Sequence, residues 1–223
     1  MTTIIKVEQI PTNEANPWIL KKHYAHRMPC VQYAFGLFGD DFLNGIVTYG
    51  TPSSSTLRTG VCGEGYTVLE LNRLCIDSRL SNSASMLVGR SLRALPSCVV
   101  VSYADTDQGH IGYVYQATNW IYTGLSAKRT EWHVEGMDGL HGQTISDKTR
   151  GMKNRAQAAR DMFGDRFSLV NRSRKHRYVY FCGNKTERKK MKKDLRYKIE
   201  PYPKGETSRY DDSANVEIQS LLF

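Results

Sequence analysis

Residues 69–95, LELNRLCIDSRLSNSASMLVGRSLRAL, and residues 98–124, CVVVSYADTDQGHIGYVYQATNWIYTG, stand on either side of a Pro96 turn and decide the fold. The first begins in a strand over residues 66–76, whose close alternates charge with bulk, as one functional face of a central strand requires. A loop of small residues follows, then an amphipathic helix over residues 84–95 that gathers Leu87, Leu92 and Leu95 and turns Arg90 and Arg93 outward. The second stretch reads as a buried apolar strand ending in acid-rich polar residues. A helix carrying Tyr113 and Tyr115 comes next, and then a strand from Trp120. The order is strand, loop, helix, strand, helix, strand.

Upstream, residues 31–38 and 45–49 are strand-like and form a hairpin about Gly39-Asp40-Asp41. Residues 51–65 are a polar loop, a binding lid or simply mobile. Residues 16–29 (NPWILKKHYAHRMP) predict a helix with Asn16 as N-cap and Pro17 at its first position, broken before Pro29. On it His23 and Arg27 share a face, as do Lys22 and His26, with Tyr24 adjacent. That crowding is either a functional cluster or the polar side of a helix whose Trp18 and Leu20 enter the core.

Downstream, a strand over residues 130–136 leads through a Gly-rich turn to a basic helix over residues 153–163, stopped by Gly164. Residues 167–170 and 177–182 predict a second hairpin, and residues 186–195 a strongly basic helix. The division expected is a catalytic domain over residues 1–182, a basic helical segment over 183–200 and a loosely ordered tail over 201–223.

A chain of 223 residues with 40% hydrophobic content can bury a full core. It has no apolar run long enough to span a bilayer and no basic-then-apolar leader, so a cytoplasmic protein is expected. Five widely spaced cysteines without a C-x-x-C pair predict free thiols rather than a disulfide frame or zinc site. The net charge of +9 is uneven, since eighteen of the 31 Lys and Arg residues lie between positions 148 and 198. With Tyr178, Tyr180 and Phe181 interleaved, this points to nucleic acid rather than to a merely solvated surface. The candidate contacts are Arg27, Lys153, Arg155, Arg172, Arg174, Lys175, Arg177, Lys189, Lys190, Lys192 and Lys193.

LELNRLCID (69–77) looks like the strand that splays from its neighbour to receive the donor in GNAT acetyltransferases. VYQATNW (114–120) sits where those enzymes have a helix bearing a tyrosine. More narrowly, HYAHRMP (23–29), ELNRLCID (70–77), SYAD (102–105) and GHIGYVYQATNWIYTG (109–124) together resemble the Mom family of bacteriophage DNA-modification proteins, the adenine methylcarbamoylases, over residues 16–181. The resemblance implies an α/β (α+β) GNAT-like acyltransferase fold with a mixed, splayed central sheet and a basic C-terminal extension. It implies a product in which adenine N6 in DNA carries CH2–CO–NH2, protecting phage DNA from host restriction. The substrate would be double-stranded DNA with the adenine flipped out or unpaired.

The same resemblance implies roles for His23, Tyr24, Asp105 and Tyr115, and a link to iron, for which His23, Tyr24 and Asp105 are the candidate ligands. Tyr115 matches the GNAT tyrosine that protonates the departing group, a task for a phenol that keeps its proton at neutral pH. Adenine N6 is a poor nucleophile and needs a carboxylate to take its proton, Asp105 or Glu70. Trp120, Tyr103 or Tyr24 would stack on the base, unless Trp120 is core. Arg73 either pairs with Glu70 or Asp105 or joins Leu74, Ile76, Ser81, Asn82, Ser83, Ser85 and Asn119 in binding the donor.

One departure from the GNAT pattern stands out. The glycine-bearing pyrophosphate loop aligns with SNSASM (81–86), which has no glycine. Acetyl transfer from coenzyme A alone also gives N6–CO–CH3, the wrong connectivity. The donor alternatives are therefore acetyl-CoA with further activation, or a glycyl donor such as glycyl-tRNA, because glycyl-adenine is an isomer of the expected product. Two other classes compete: a conventional N-acetyltransferase acting on a small amine, peptide or tRNA, and a non-enzymatic nucleic-acid binder on the same scaffold.

Overall fold

β5 (Cys98–Asp105) is buried on both faces from Cys98 to Val101, the mark of a strand at the middle of a sheet. The computed structural model describes residues 5–23, 25–77, 81–137, 140 and 142–205. In chain order the other strands are β1 (Ile5–Ile10), β2 (Tyr33–Gly39), β3 (Phe42–Gly50), β4 (Val68–Ile76), β6 (Ile121–Leu125), β7 (Arg129–Val134), β8 (Phe167–Arg172) and β9 (Lys175–Cys182). The helices are α1 (Asn16–Lys21), α2 (Ser55–Gly60), α3 (Ser83–Ala94), α4 (Tyr113–Ala117), α5 (Gly142–Asp147), α6 (Arg155–Phe163) and α7 (Lys185–Asp194).

Seven strands form one sheet in the order β1-β2-β3-β4-β5-β9-β6. Its pairs are antiparallel except β4 with β5. That parallel pair holds register only from Val68↔Val99 to Glu70↔Val101, after which the strands part. The mixed, splayed sheet is thus the one expected. α3 covers one face, packing Leu87, Val88 and Leu92 on Phe35, Leu69, Leu71 and Val100, and the Tyr49 hydroxyl meets Ser91 Oγ at 2.7 Å inside this layer. The opposite face holds two clusters. Leu57, Val61, Cys62, Val99, Val101, Val179, Phe181 and Met191 make one, and Ile10, Ala15, Ile19, Ala34, Ile46 and Cys75 the other.

The β2–β3 hairpin turns through Asp40 (φ 49°) and Asp41 (φ 68°), two left-handed residues of the kind a two-residue turn needs. Gly50 is required by close approach, because a Cβ there would lie 1.8 Å from the Cys30 carbonyl oxygen. All five cysteines are free thiols, as their spacing predicts.

Four expectations change. The helix expected over residues 16–29 stops at Lys21, and Ala15 rather than Asn16 is its N-cap, because a 3-10 turn over Thr12–Ala15 already winds the chain. His23 and Arg27 therefore share no helix face. Residues 51–65 are not an open loop: α2 and the turn after it bury Leu57, Val61 and Cys62 in the core. β1, an edge strand, has no counterpart in the reading of the sequence.

The largest change concerns the second hairpin. β8 pairs with β7 in a separate two-stranded sheet, whereas β9 inserts between β5 and β6. Ser173-Arg174 has the length of a hairpin turn, but Tyr178, Val179, Phe181 and Cys182 are buried on both faces of β9, and only a central position satisfies both.

The described residues accordingly form two compact units, one from residues 5–125 and 175–205, the other from residues 126–174. The second has its own core of Val134, Ile145, Ala159 and Phe163, with the Trp132 and Phe167 rings edge-to-face at 5.0 Å. Residues 201–205 are held in the first unit, where the Tyr202 hydroxyl donates to the Trp120 carbonyl at 2.6 Å. The rest of the expected tail, residues 206–223, lies outside the described residues. No helix among the described residues is long and apolar enough to cross a membrane.

Candidate active site

Where β4 and β5 part, Ser102 ties them together. Its Oγ lies 2.9 Å from the Leu71 carbonyl oxygen and 2.8 Å from the Tyr115 hydroxyl. A serine has one hydroxyl hydrogen and a carbonyl only accepts, so Ser102 donates to Leu71 and receives from Tyr115. Strand alternation then divides the residues around the gap. Ser102 and Ala104 face the α3 layer with Tyr115, whereas Tyr103 packs with Val99 and Val101 on the other face, and Asp105 follows it there. Tyr115 and Asp105, expected to act together in one catalytic site, therefore lie on opposite faces of β5, because Asp105 is an odd number of residues from Ser102, which holds the phenol.

On the Tyr115 side the walls are aromatic. Tyr115, 7% exposed, has the Trp120 and Tyr178 rings each at 5.1 Å. The Tyr178 hydroxyl donates to the Ile111 carbonyl at 2.5 Å, and burial pushes its pKa up to about 12. Gln116 Nε2 donates to that hydroxyl and to Ile111 as well. Gly112 has φ 79°, and a Cβ there would lie 2.4 Å from the Tyr178 ring, so only glycine lets α4 start so close to β9. Trp120, 1% exposed, is a core residue and not a platform for a base.

The Asp105 side is polar and charged. Asp105 Oδ2 pairs with Lys175 Nζ at 2.6 Å, with only 11% and 22% of the two side chains exposed. Oδ1 accepts from the Asp107 backbone N–H at 3.2 Å, and the His110 N–H returns to the Asp105 carbonyl at 3.0 Å. Glu70 has its pKa raised by burial, opposed by the charges of Arg73 and Lys175 and by a hydrogen bond from the Ser53 backbone. Arg73 donates to the Asn72 and Arg27 carbonyls, each at 2.6 Å. His23 is pushed down to about 3, first by burial and then by the charges of Arg73, His26, His110 and Lys175. Its Nδ1 accepts from the Ala25 N–H at 3.1 Å, which requires a neutral ring. Burial also lowers the His110 pKa, against the raising effect of Asp105. These couplings place His23, Glu70, Arg73, Asp105, His110 and Lys175 in one electrostatic neighbourhood. Tyr24 lies outside the described residues.

The described residues give no support for iron. The described part of the expected ligand set is a histidine among cationic groups and a carboxylate bound to an ammonium, and no trio of His, Cys, Asp or Glu among the described residues is arranged for a metal.

Of the donor residues, Leu74 and Ile76 pack on the α3 layer, as does Met86. Asn82 starts α3 in the left-handed region (φ 62°) and its side chain makes no cap hydrogen bond; Ser85 Oγ donates to the Asn82 carbonyl, Ser83 is buried and Ser81 exposed. Asn119 (φ 61°) serves the turn from α4 into β6.

The basic residues divide by commitment. Arg155 Nη2 binds Ser146 and its guanidinium lies over Trp132 at 5.8 Å; Arg174 Nε donates to Ser126 O at 2.7 Å. Arg177 binds Thr123 and stacks on Tyr197 at 3.5 Å, while Lys175 is bound to Asp105. Lys153, Lys189, Lys190, Lys192 and Lys193 are exposed, the last four on α7, whose capping box of Asn184 and Glu187 fixes its start and whose Met191 enters the core. Ser102, His110 and the pairing of Lys175 with Asp105 escape a reading of the sequence. Ser102 lies an odd number of residues from Asp105 in SYAD, which signals the opposite face, but Lys175 reaches Asp105 only through the unexpected place of β9.

The Mom protein family matches residues 4–204. The chain belongs to that family. It is 31% identical over 217 residues, 90% of its length and 84% of the relative's, to a protein of Escherichia phage Mu named methylcarbamoylase mom. Among solved structures it is similar to a GNAT-family acetyltransferase from Bacillus cereus (12% identity, 81% and 99% of the two chains, TM-score 0.41). Another is the ribosomal-protein-S18-alanine N-acetyltransferase of Escherichia coli (6%, 81% and 96%, TM-score 0.44). A third is a putative acetyltransferase from Salmonella typhimurium with its cofactor acetyl-CoA (9%, 81% and 95%, TM-score 0.41).

Proposed function

We propose that this member of the Mom family is a DNA-modifying transferase that places a methylcarbamoyl group on N6 of adenine. The observation that carries the reading is the parted β4–β5 pair, with a phenol tied to one side and a buried carboxylate cluster on the other. A transfer uses an acid for the departing group and a base for the incoming amine, and the gap between the parted strands is the route by which one substrate would reach both. The family relationship supplies the group that is moved.

In this reading the donor enters on the Tyr115 side. The start of α3 offers backbone N–H groups not capped by Asn82 to an anionic part of it, with Leu74 and Ile76 alongside. Attack of N6 on the carbonyl of a glycyl ester or thioester breaks the acyl–oxygen or acyl–sulfur bond, and Tyr115 protonates the departing oxygen or sulfur. The N6–CO–CH2–NH2 so formed becomes N6–CH2–CO–NH2 when its free amine attacks purine C6 through a five-membered ring and the original N6 leaves C6 as the amide nitrogen. Adenine, extruded or unpaired, arrives from the polar side. Glu70, whose raised pKa makes it a better base than an ordinary carboxylate, takes the N6 proton as the new bond forms. The Asp105–Lys175 pair and Arg73 fix the field around it. The exposed lysines of α7 hold the DNA backbone.

The test is mass spectrometry of nucleosides from DNA of cells making the protein. An adenine increment of C2H3NO, absent with Tyr115→Phe, is the expected result; unchanged DNA together with acetylation of a small amine or peptide would make the chain a conventional acetyltransferase. Feeding labelled glycine and labelled acetyl-CoA in parallel identifies the donor, because only a glycyl donor delivers carbon and nitrogen together.

A further inference from the structure

The two-stranded sheet of residues 126–174 has two unlike faces. Trp132, Val134 and Phe167 point to the local core with α5 and α6. By alternation the other face carries Arg129, Glu131 and His133 on β7, opposite Arg172, Val170 and Ser168 on β8. Arg129 and Arg172 are directly opposed across the strands, Arg129 exposed and the Arg172 side chain 38% exposed. Like charges so placed repel. The nearby carboxylate, Glu131, lies 3.9 Å from Arg172 Nε and is one charge against two. The surrounding segment adds to the excess, with ten Lys and Arg against six Asp and Glu over residues 126–174, a net of +4.

We infer that Arg129 and Arg172 form a two-pronged clamp for a phosphate of duplex DNA, on the face of the β7–β8 ribbon turned away from its own core. A phosphate between the two guanidiniums turns the repulsion of the free ribbon into two charge-assisted contacts. The clamp is therefore a cost in the free protein and a gain in the complex. The inference rests on DNA being the substrate, but not on which base is modified or from what donor.

The experiment compares the full chain with Arg129→Gln, Arg172→Gln and the double variant. It measures affinity for a duplex fragment over a range of salt, modification at saturating DNA, and thermal midpoint without DNA. The clamp predicts that the slope of log K against log salt drops by about 0.9 in the double variant, the contribution of one phosphate, and by less in each single variant. It also predicts unchanged modification at saturating DNA and an unchanged or higher midpoint, since the repulsion is relieved. An unchanged slope in the double variant while the parent binds DNA overturns the clamp. So does a lowered midpoint with parallel loss of modification at saturating DNA, which would make the pair a support of the ribbon. Failure of the parent to bind duplex DNA overturns both this inference and the proposed function. Slopes as expected with no modified adenine from any form overturn the proposed function alone.

Discussion

The two faces of β5 are one residue apart in sequence and opposite in chemistry. Behind Ser102 and Ala104 stands a wall of rings, Tyr115, Trp120 and Tyr178, with hydroxyls bound to one serine and one carbonyl. Beyond Tyr103 and Asp105 stand Lys175, Glu70, Arg73 and two histidines whose charges depend on one another. A strand that alternates sets the two kinds of group on opposite faces, and the gap that opens after Glu70 and Val101 lies beside both.

Four changes test that division, from the largest effect to the smallest. Tyr115→Phe removes the hydroxyl proposed as the proton source and leaves the ring packing. Modification in vivo, read by nucleoside mass spectrometry, should fall at least about 100-fold, while stability changes by about 1 kcal/mol through the lost bond to Ser102. Glu70→Gln should lower the rate about 10- to 100-fold. In the parent, the rate should decline with falling pH as Glu70 gains a proton, starting above the ordinary carboxylate range because burial raises its pKa. The Gln variant should lack that limb in single-turnover assays across pH.

His23→Gln acts on stability. A histidine held near 3 when folded and near 6.5 when unfolded takes up protons mainly on unfolding between those values. The parent should therefore be most stable above about pH 6.5 and lose up to about 1.4 kcal/mol per pH unit below it. Urea titrations at stepped pH should show a flatter curve for the Gln variant. Ser102→Ala should have the smallest effect, with less than about a 10-fold loss in rate, because it unties the phenol without removing it. If Ser102→Ala were as damaging as Tyr115→Phe, the serine and not the phenol would be the acid on that face.

Much of this site is legible in the sequence because its key residues lie within short, local elements. Tyr115 and Asp105 come from one strand-loop-helix stretch, and the hairpin through Asp40 and Asp41 is fixed by its turn residues. What escapes is what depends on distant pairing. Lys175 reads as one more cation in a basic run until β9 is placed beside β5. Arg155 and Arg177 read likewise, yet each is spent inside the fold on serine and threonine oxygens and an aromatic ring. The helix expected after Asn16 fails because Pro17 and an N-cap-like residue mark a start, while nothing local announces the stop at Lys21.

The late position of β9 has a consequence for how the chain is made. Asp105 and its partner Lys175 are seventy positions apart, and β6 has no strand partner until β9 arrives. On the ribosome, β5 must wait with an open edge while residues 126–174 are synthesised, a period in which a second nascent chain can pair with it. A chain cut short anywhere in that interval lacks both the Lys175 partner of Asp105 and the Tyr178 ring that backs Tyr115.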